Sequence, residues 1–174
     1  MNKELQFIKS TIYDNYNFEF TNLKIDQESS EYGACSFTLN NTKIIHRCSK
    51  ITPTKTGQFV TIWKRNEKGI TTPFSSSDDF DFFIITVVKG EKLGQFIFSK
   101  SILEEKGVID SSFKKGKRGM RVYTPWDTTT SIQARKTQNW QGLCFLNMSD
   151  FDSDKMDNCL LTNIENGGNN QFSN

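Results

Sequence analysis

An apolar run without alternation, FFIITVV, in which Thr86 is the single polar residue, occupies residues 82–88 and limits the folds open to this chain. A strand with one face in solvent alternates apolar and polar side chains, whereas a strand covered on both faces is apolar throughout. The run therefore predicts the central strand of a sheet that carries packed structure on both sides. The turn sequence GEKLG and the segment QFIFSK follow it directly, so we expect an antiparallel partner strand.

The rest of the chain predicts an α+β fold with a mixed, largely antiparallel sheet and packed helices. The first helix, residues 3–13, has apolar residues at helical spacing and Asn2 as its N-cap. A second helix covers residues 128–140, capped by the threonine at 128 or 129. A chain of 174 residues is long enough for one core, so we expect a single domain over residues 1–148.

Residues 43–65, KIIHRCSKITPTKTGQFVTIWKR, contain two β-forming runs on either side of the turn PTKTG. Pro53 sets φ for a turn and Gly57 can adopt a positive φ, so the segment predicts one long β-hairpin, followed by a loop over residues 66–80. Residues 43–68 hold seven Lys or Arg and one Glu, a local charge of +6. We interpret this hairpin as one wall of a nucleic-acid-binding groove.

A second basic segment, residues 113–136, also has a charge of +6, although the whole chain carries only +2. Clustered charge of one sign indicates an anionic partner. In both segments cations lie close in sequence to Trp or Tyr rings. Cations bind phosphates without regard to sequence, and rings stack on unpaired bases. For each tryptophan taken singly, packing in the core is the alternative role.

Residues 149–174 have a charge of −4 and are rich in Asn and Gly, so we expect a flexible acidic tail. The N-terminus lacks the apolar stretch of a signal peptide, and no run approaches the roughly 20 apolar residues of a membrane span. The four cysteines form no C-x-x-C pair, which is typical of buried, reduced thiols. We therefore expect a soluble cytoplasmic protein without a membrane partner.

Nucleases that hydrolyse phosphodiesters with Mg²⁺ need two or three carboxylates to hold the metal ion. Asp78, Asp79 and Asp81 come directly before the central strand, and Lys100 ends the predicted partner strand. The position two residues before this lysine, where a second acid is needed, is Phe98. Asp81 and Lys100 are therefore degenerate candidates for a catalytic pair, and we expect neither catalysis nor a bound metal. An active metal-dependent nuclease is the alternative.

The single histidine, His46, has no Ser or Asp at the spacing of a catalytic triad. Cys48 lies two residues further on the same strand, which is not the usual placement of a Cys-His nucleophile pair. We therefore expect a histidine of the core or of the surface. The sequence contains neither a P-loop nor a dinucleotide-binding glycine motif, so it predicts no cofactor.

Four blocks, CSKITPTKTGQFVTIWKR, GQFIFSK, GKRGMRVYTPWD and QARKTQNWQ, carry a family resemblance in this order. With them the chain resembles the MepB family of bacterial proteins over residues 30–146. The resemblance implies a fold similar to the PD-(D/E)XK nucleases without their catalytic acids, and nucleic-acid binding rather than cleavage. Such proteins are often encoded beside a multidrug efflux pump and its repressor, which leaves a small-ligand or drug-binding module as a further alternative.

We therefore predict a non-catalytic nucleic-acid-binding protein of low sequence specificity. A preference for single-stranded DNA or RNA is expected, because the sequence contains no recognition helix or base-reading motif. The predicted binding residues come from both basic segments and from the strand end between them: Lys50, Lys55, Lys64, Arg65, Lys100, Lys117, Arg118, Arg121, Trp126 and Lys136. This prediction requires the fold to bring the two segments together.

Overall fold

The computed structural model describes residues 1–161. Its main sheet has six strands in the spatial order β1-β2-β3-β8-β9-β11. These strands are β1 (Phe20–Ile25), β2 (Cys35–Leu39), β3 (Thr42–Cys48), β8 (Phe82–Lys89), β9 (Lys92–Ser99) and β11 (Phe145–Asn147). Five short strands form two smaller sheets, β10-β5-β4 and β6-β7. They are β4 (Lys50–Ile51), β5 (Gln58–Thr61), β6 (Trp63–Arg65), β7 (Thr71–Pro73) and β10 (Gly119–Val122).

The described residues also form a small number of helices. They are α1 (Lys3–Ile8), which continues as the π-helical turn Lys9–Tyr13, a 3₁₀ turn at Ser30–Tyr32, α2 (Lys100–Glu105), α3 (Ile132–Gly142) and α4 (Ser153–Leu161). Asn2 caps α1 as predicted, since its Oδ1 accepts from the Leu5 N–H at 3.1 Å. The predicted fold class, α+β with a mixed and largely antiparallel sheet, is confirmed.

Strand β8 lies inside the main sheet, parallel to β3 on one side and antiparallel to β9 on the other. Its residues from Phe82 to Val87 are all buried. Successive side chains of a strand point to opposite faces, and here both faces are covered. Phe82 belongs to one apolar cluster and Phe83 to another, which confirms the two-sided burial predicted from FFIITVV.

The main sheet separates two packed layers. The first layer holds α1, the π-helical turn and α4, which bury Leu5, Ile12 and Met156 against one face of the sheet. The second layer holds α2 and strands β5 and β10, which bury Leu103 and Val122 against the other face. Strands β5 and β10 belong to this second layer, and helix α3 borders it through Trp140.

The single long hairpin predicted for residues 43–65 is wrong. Strand β3 ends at Cys48, and the chain leaves the main sheet at Ser49, whose N–H donates to the Thr86 carbonyl oxygen at 3.0 Å. Of the predicted first strand of the hairpin, only the short β4 pairs with β5, across the turn where Gly57 has the expected positive φ of 78°. The main partners of β3 are β2 and β8, and the parallel pairing with β8 joins segments far apart in sequence.

Two further boundaries differ from the prediction. Strand β7 lies inside the segment expected to be a loop and pairs with β6. Helix α3 begins later than expected, because Ser131 is its N-cap and accepts from the Ala134 N–H at 3.1 Å. The hydroxyl of Thr129, one of the two predicted caps, instead donates to Gln138 Oε1 at 2.9 Å.

The first part of the acidic tail also differs from the expected flexible chain. Residues 153–161 form α4, and Met156 and Leu160 are buried in the first layer. Apolar residues four positions apart lie on the same face of a helix, which explains how an acidic segment still packs. The remainder of the tail, residues 162–174, lies outside the described residues.

No helix within residues 1–161 combines the length and the hydropathy that crossing a membrane requires.

Candidate nucleic-acid interface

Strand β5 joins the two basic segments. Phe59 of β5 pairs with Lys50 of β4 on one side and with Arg121 of β10 on the other. Directly paired residues of antiparallel strands project from the same face of a sheet. Lys50 and Arg121 therefore share one face of the small sheet, with the ring of Phe59 between them, and the fold brings these parts of the two segments together.

A cleft with a volume of about 370 Å³ lies between β10 and α3, and we call it the β10–α3 cleft. Its cationic lining residues are Lys106, Lys117 and Arg121, and its aromatic ones are Tyr123 and Trp140. No described carboxylate lines it. Lys106 is offset by Glu105 at 2.6 Å, so the positive potential of the cleft, which favours an anion, comes mainly from Lys117 and Arg121.

Two glutamines of α3 hold the end of β10 and the segment that follows it. Gln141 is fully buried, and its amide donates to the Arg121 carbonyl oxygen at 3.0 Å and accepts from the Tyr123 N–H at 2.8 Å. Gln138, one turn earlier, donates to the carbonyl oxygens of Thr124 and Asp127 at 2.7 and 2.8 Å. These bonds satisfy the backbone groups that an edge strand leaves unpaired, and they fix α3 beside β10.

Arg121 connects the cleft to the turn between β4 and β5. Its guanidinium donates to the carbonyl oxygens of Gly57 and Thr56 at 3.1 and 3.4 Å and to Thr52 Oγ1 at 2.5 Å. Gly57 packs closely here, because a Cβ on it would lie 2.7 Å from Tyr123 Cδ1. The guanidinium therefore supports the turn, and Arg121 is also one of the residues that line the cleft.

Trp140 is half-buried and has two environments. One part of its ring contacts the core at Phe98, with ring centroids 5.4 Å apart. Another part lines the β10–α3 cleft, and Lys106 Nζ lies 6.0 Å from the ring centroid. The ring also lines a shallow depression of about 430 Å³ on the outer side of α3, together with Lys136. Core packing thus positions a ring that remains accessible.

Trp126 lines a second cavity, of about 300 Å³, which we call the Trp126 pocket. Its other lining residues include Lys55 and Gly57 of the β4–β5 turn, together with Lys89 and Asp127. Lys89 and Asp127 form an ion pair at 2.8 Å, so their charges offset each other. Trp126 stands edge-on to the buried Phe145, with ring centroids 5.2 Å apart, and is itself half-buried.

Three of the predicted binding lysines and arginines are neutralised by acids. Lys50 pairs with Glu31 at 2.6 Å. Lys64 pairs with Asp78, and Arg65 pairs with Glu28. The β4 and β6 part of the predicted groove is therefore much less cationic than its sequence indicates.

The other predicted cations have no acid partner within residues 1–161. Lys55, Lys117 and Lys136 are exposed and form no ion pair with a described residue. Arg118 donates only to the Thr71 carbonyl oxygen, at 3.1 and 3.2 Å. The uncompensated positive charge therefore lies mainly around β10 and α3, with Lys55 at the neighbouring turn.

The degenerate nuclease-like positions lie together at one end of β8 and β9. The Lys100 N–H donates to the Asp81 carbonyl oxygen at 2.9 Å, and Phe98 is fully buried in the second layer. Lys100 Nζ donates to the Asp78 carbonyl oxygen at 2.5 Å. The carboxylate of Asp81 accepts from the Lys43 N–H at 2.8 Å, so it serves the backbone of β3.

Asp79 belongs to the same end of the sheet but makes a different contact. Its carboxylate binds Lys43 Nζ at 2.6 Å. This hydrogen bond raises the pKa of Lys43 and lowers the pKa of Asp79. Within residues 1–161 no three His, Cys, Asp or Glu side chains are placed to hold a metal ion.

Lys106, Tyr123 and Trp140 line the cleft but are absent from the predicted site. Trp140 had a usable signal, since it shares a helix face with Gln133 and Lys136 and follows a basic run. Lys106 had none, because it lies in α2's C-terminal turn, outside both basic segments. Only the packing of α2 beside α3 brings it to the cleft.

Comparisons with known proteins agree with the resemblance seen in the sequence. A family model described as MepB-like matches residues 26–147. A crystal structure of MepB matches with a TM-score of 0.75 and 31% sequence identity, over 87% of this chain and 100% of that chain. A bacterial homing endonuclease matches with a TM-score of 0.46 and 13% identity, over 78% of this chain and 84% of that one, a likeness too low to carry an argument. No curated protein matches significantly. Because the family model spans well over half of its residues, the chain belongs to the MepB-like family.

Proposed function

We propose that this protein binds nucleic acid without cleaving it, with low sequence specificity and a preference for single-stranded DNA or RNA. The observation that carries the proposal is the β10–α3 cleft, in which Lys117 and Arg121, neither of them paired with a described acid, meet two aromatic rings. Lys and Arg neutralise phosphates, and aromatic side chains stack on bases whatever the base is. A cytoplasmic location is part of this proposal.

The unpaired cations extend the binding surface beyond the cleft. Arg118 belongs to the same basic loop as Lys117, and Lys136 lies on the outer side of α3. Lys55 approaches from the β4–β5 turn, which Arg121 holds against β10. A backbone crossing this surface would meet cations that no described acid neutralises, so the binding energy would be largely electrostatic.

The finer fold assignment, a scaffold similar to the PD-(D/E)XK nucleases, is part of the same proposal. Asp81 and Lys100 are neighbours across β8 and β9, and Phe98 fills the place where a second acid is needed. We expect no cleavage of single- or double-stranded substrates with Mg²⁺ or Mn²⁺. Cleavage that Asp81→Ala abolishes would contradict the non-catalytic part of the proposal.

A salt titration tests the electrostatic basis directly. Single-strand affinity falls by about 0.7 log units per log unit of salt for each phosphate neutralised, so five contacts predict a slope of about −3.5. The measurement is fluorescence anisotropy of a labelled single-stranded oligonucleotide between low and moderate salt. An affinity that does not change with salt would overturn the proposal.

A matched pair of variants tests where the phosphates bind. Lys117→Gln removes an unpaired cation of the cleft and should weaken binding and reduce the salt slope by about 0.7. Lys50→Gln removes a lysine whose charge Glu31 already offsets, so its effect on affinity should be smaller. Both side chains lie at the surface, and the melting temperature should change little in either variant. Equal losses of affinity would contradict the assignment of the site to β10 and α3.

A further inference from the structure

We propose that Trp126 and Trp140 each stack on one unpaired base of the same strand, with Arg121 between the two bases. The inference rests on the proposed function and specifies how that site reads a single strand. It assigns two separate base-binding positions where a general basic surface would provide none.

The first position is the β10–α3 cleft. Trp140 offers part of its ring to the cleft while the core contact with Phe98 holds that ring in place. Lys117, which no described acid neutralises, lines the same cleft, so a phosphate attached to a stacked base would meet a cation there. Lys106 also lines the cleft but pairs with Glu105 at 2.6 Å. A ring fixed by core packing loses little conformational entropy when a base stacks on it, which favours binding.

The second position is the Trp126 pocket. Trp126 is held by its edge-on contact with Phe145 and lines this pocket with Lys55, the unpaired lysine of the β4–β5 turn. The remaining charges of the lining, Lys89 and Asp127, neutralise each other. The pocket therefore also offers an aromatic ring for a base and a cation for a phosphate, here Trp126 and Lys55.

The two positions are neighbours along the backbone. Tyr123 lines the cleft and Trp126 lines the pocket, and three residues of chain place their Cα atoms within about 11 Å of each other. Gly57 of the β4–β5 turn lines the pocket and packs on Tyr123, which lines the cleft, and Arg121 donates to the Gly57 carbonyl oxygen. Arg121 is therefore placed to contact the backbone of a strand that occupies both cavities.

Both rings are half-buried in concave sites, which determines the form of nucleic acid they accept. In a duplex each base is stacked within the helix, and presenting its face to a protein ring requires flipping it out at a cost of a few kcal/mol. An unpaired base presents its face freely. The geometry therefore favours a single strand over the duplex of the same sequence.

The test uses the three tryptophans of the chain as reporters. Three double variants each keep one of them: W63F/W126F keeps Trp140, W63F/W140F keeps Trp126, and W126F/W140F keeps Trp63. Trp63 lies on β6, lines neither cavity and is the matched control. The probes are a single-stranded oligoadenylate decamer, its duplex with the complementary strand, and AMP. Single variants W126F and W140F provide the same comparison if a double variant fails to fold.

Stacking quenches tryptophan fluorescence, so the decamer should quench Trp126 and Trp140 and leave Trp63 unchanged. The duplex should quench neither cavity tryptophan, and AMP, at the same nucleotide concentration, should quench both less than the decamer does. Replacing either cavity tryptophan by alanine should weaken decamer binding by about 5- to 100-fold.

Other outcomes separate this inference from the function on which it rests. Quenching of only one cavity tryptophan would overturn the shared-strand arrangement. Salt-dependent binding of the decamer without quenching of either would overturn the inference and leave the proposed function standing. Absence of decamer binding at low salt would remove the proposed function itself.

Discussion

His46, the single histidine, lies within a buried chain of hydrogen bonds in the first layer. The Tyr13 hydroxyl donates to Gln95 Oε1 at 2.9 Å, and Gln95 Nε2 donates to Thr86 Oγ1 at 3.1 Å. Thr86 Oγ1 lies 2.9 Å from His46 Nε2. All partners are satisfied when Thr86 donates to Nε2 and the proton on Nδ1 points to the Gly33 carbonyl oxygen at 3.3 Å.

This position holds the imidazole neutral. The pKa of His46 is lowered to about 3, chiefly by burial and also by the nearby Arg47 guanidinium, while the hydrogen bond to Gly33 opposes the shift. The neighbouring Cys35, whose Sγ lies 3.7 Å from Nδ1, is also neutral at physiological pH, because burial raises its pKa to about 11. The histidine is therefore a structural group of the core.

A pH dependence of stability follows for the folded protein. Between about pH 6.5 and pH 3 the unfolded chain binds a proton at His46 that the folded chain does not, so the free energy of unfolding decreases as the pH falls. This group contributes a slope of up to about 1.4 kcal/mol per pH unit in that range and none above it. Urea unfolding at several pH values from 7.5 to 4 measures the slope.

His46→Gln is the matched variant for this measurement, because glutamine keeps a polar group in the chain but does not titrate. Carboxylates contribute their own acid dependence in both proteins, so the informative quantity is the difference between the two slopes. We expect the variant to be less stable at neutral pH and less sensitive to acid. Identical slopes from pH 6.5 to 4 would contradict the neutral, buried state of His46.

At the scale of elements, the contact between α3 and β10 depends on glutamine side chains more than on apolar packing. Gln141 bonds to both backbone groups that the edge of β10 presents at Arg121 and Tyr123. Gln138 extends the same arrangement to the segment after the strand. Helix α3 thereby positions Trp140 in the cleft without itself burying a broad apolar face.

Gln141→Leu should destabilise the protein, because it leaves a buried carbonyl and a buried N–H without partners at a cost of about 1 to 3 kcal/mol. Gln133→Leu on the exposed part of the same helix is the control and should change stability by less than about 0.5 kcal/mol. Urea unfolding measures both, and amide exchange at Tyr123 should accelerate only in the first variant. Unchanged exchange there would contradict the role of Gln141.

The sequence predicts best those elements whose burial follows from their own residues and not from the identity of their partners. FFIITVV predicts a strand covered on both faces because six of its seven residues are apolar and do not alternate with polar ones, wherever the partners of the strand come from. The partner of β3 cannot be predicted in this way. Its parallel pairing with β8 joins two segments that strands β4 to β7 separate in the sequence. The segment around Ser49 therefore predicts one hairpin although its two halves belong to different sheets.

The candidate site, too, can be predicted from the sequence only in part. Clustering of Lys and Arg in two segments predicts a basic surface, and β5 does bring parts of both together. Which cations remain unpaired depends on acids from distant elements, such as Glu28 and Glu31 near the 3₁₀ turn. Trp140 could have been chosen from its helix face, whereas Lys106 required the tertiary structure.

At the scale of the whole molecule, residues 1–161 form two layers on opposite faces of the main sheet. We propose different functions for the two layers. The polar chain around His46 and the buried residues of α4 belong to the first layer. The β10–α3 cleft and the Trp126 pocket border the second. Helix α4 therefore stabilises the fold from the face of the main sheet opposite to the proposed binding surface.

Met156→Ala separates stability from binding at this scale. Met156 is fully buried, and removing its side chain should lower the free energy of unfolding by about 2 to 4 kcal/mol through lost burial and a residual cavity. Lys155→Ala, at the exposed neighbouring position of α4, should leave stability nearly unchanged. Because the main sheet stands between α4 and the cleft, neither change should alter the affinity of the folded protein for a single-stranded oligonucleotide. The measurements are urea unfolding and anisotropy at a temperature where both variants are folded. A loss of affinity in folded Met156→Ala would show that the first layer takes part in binding.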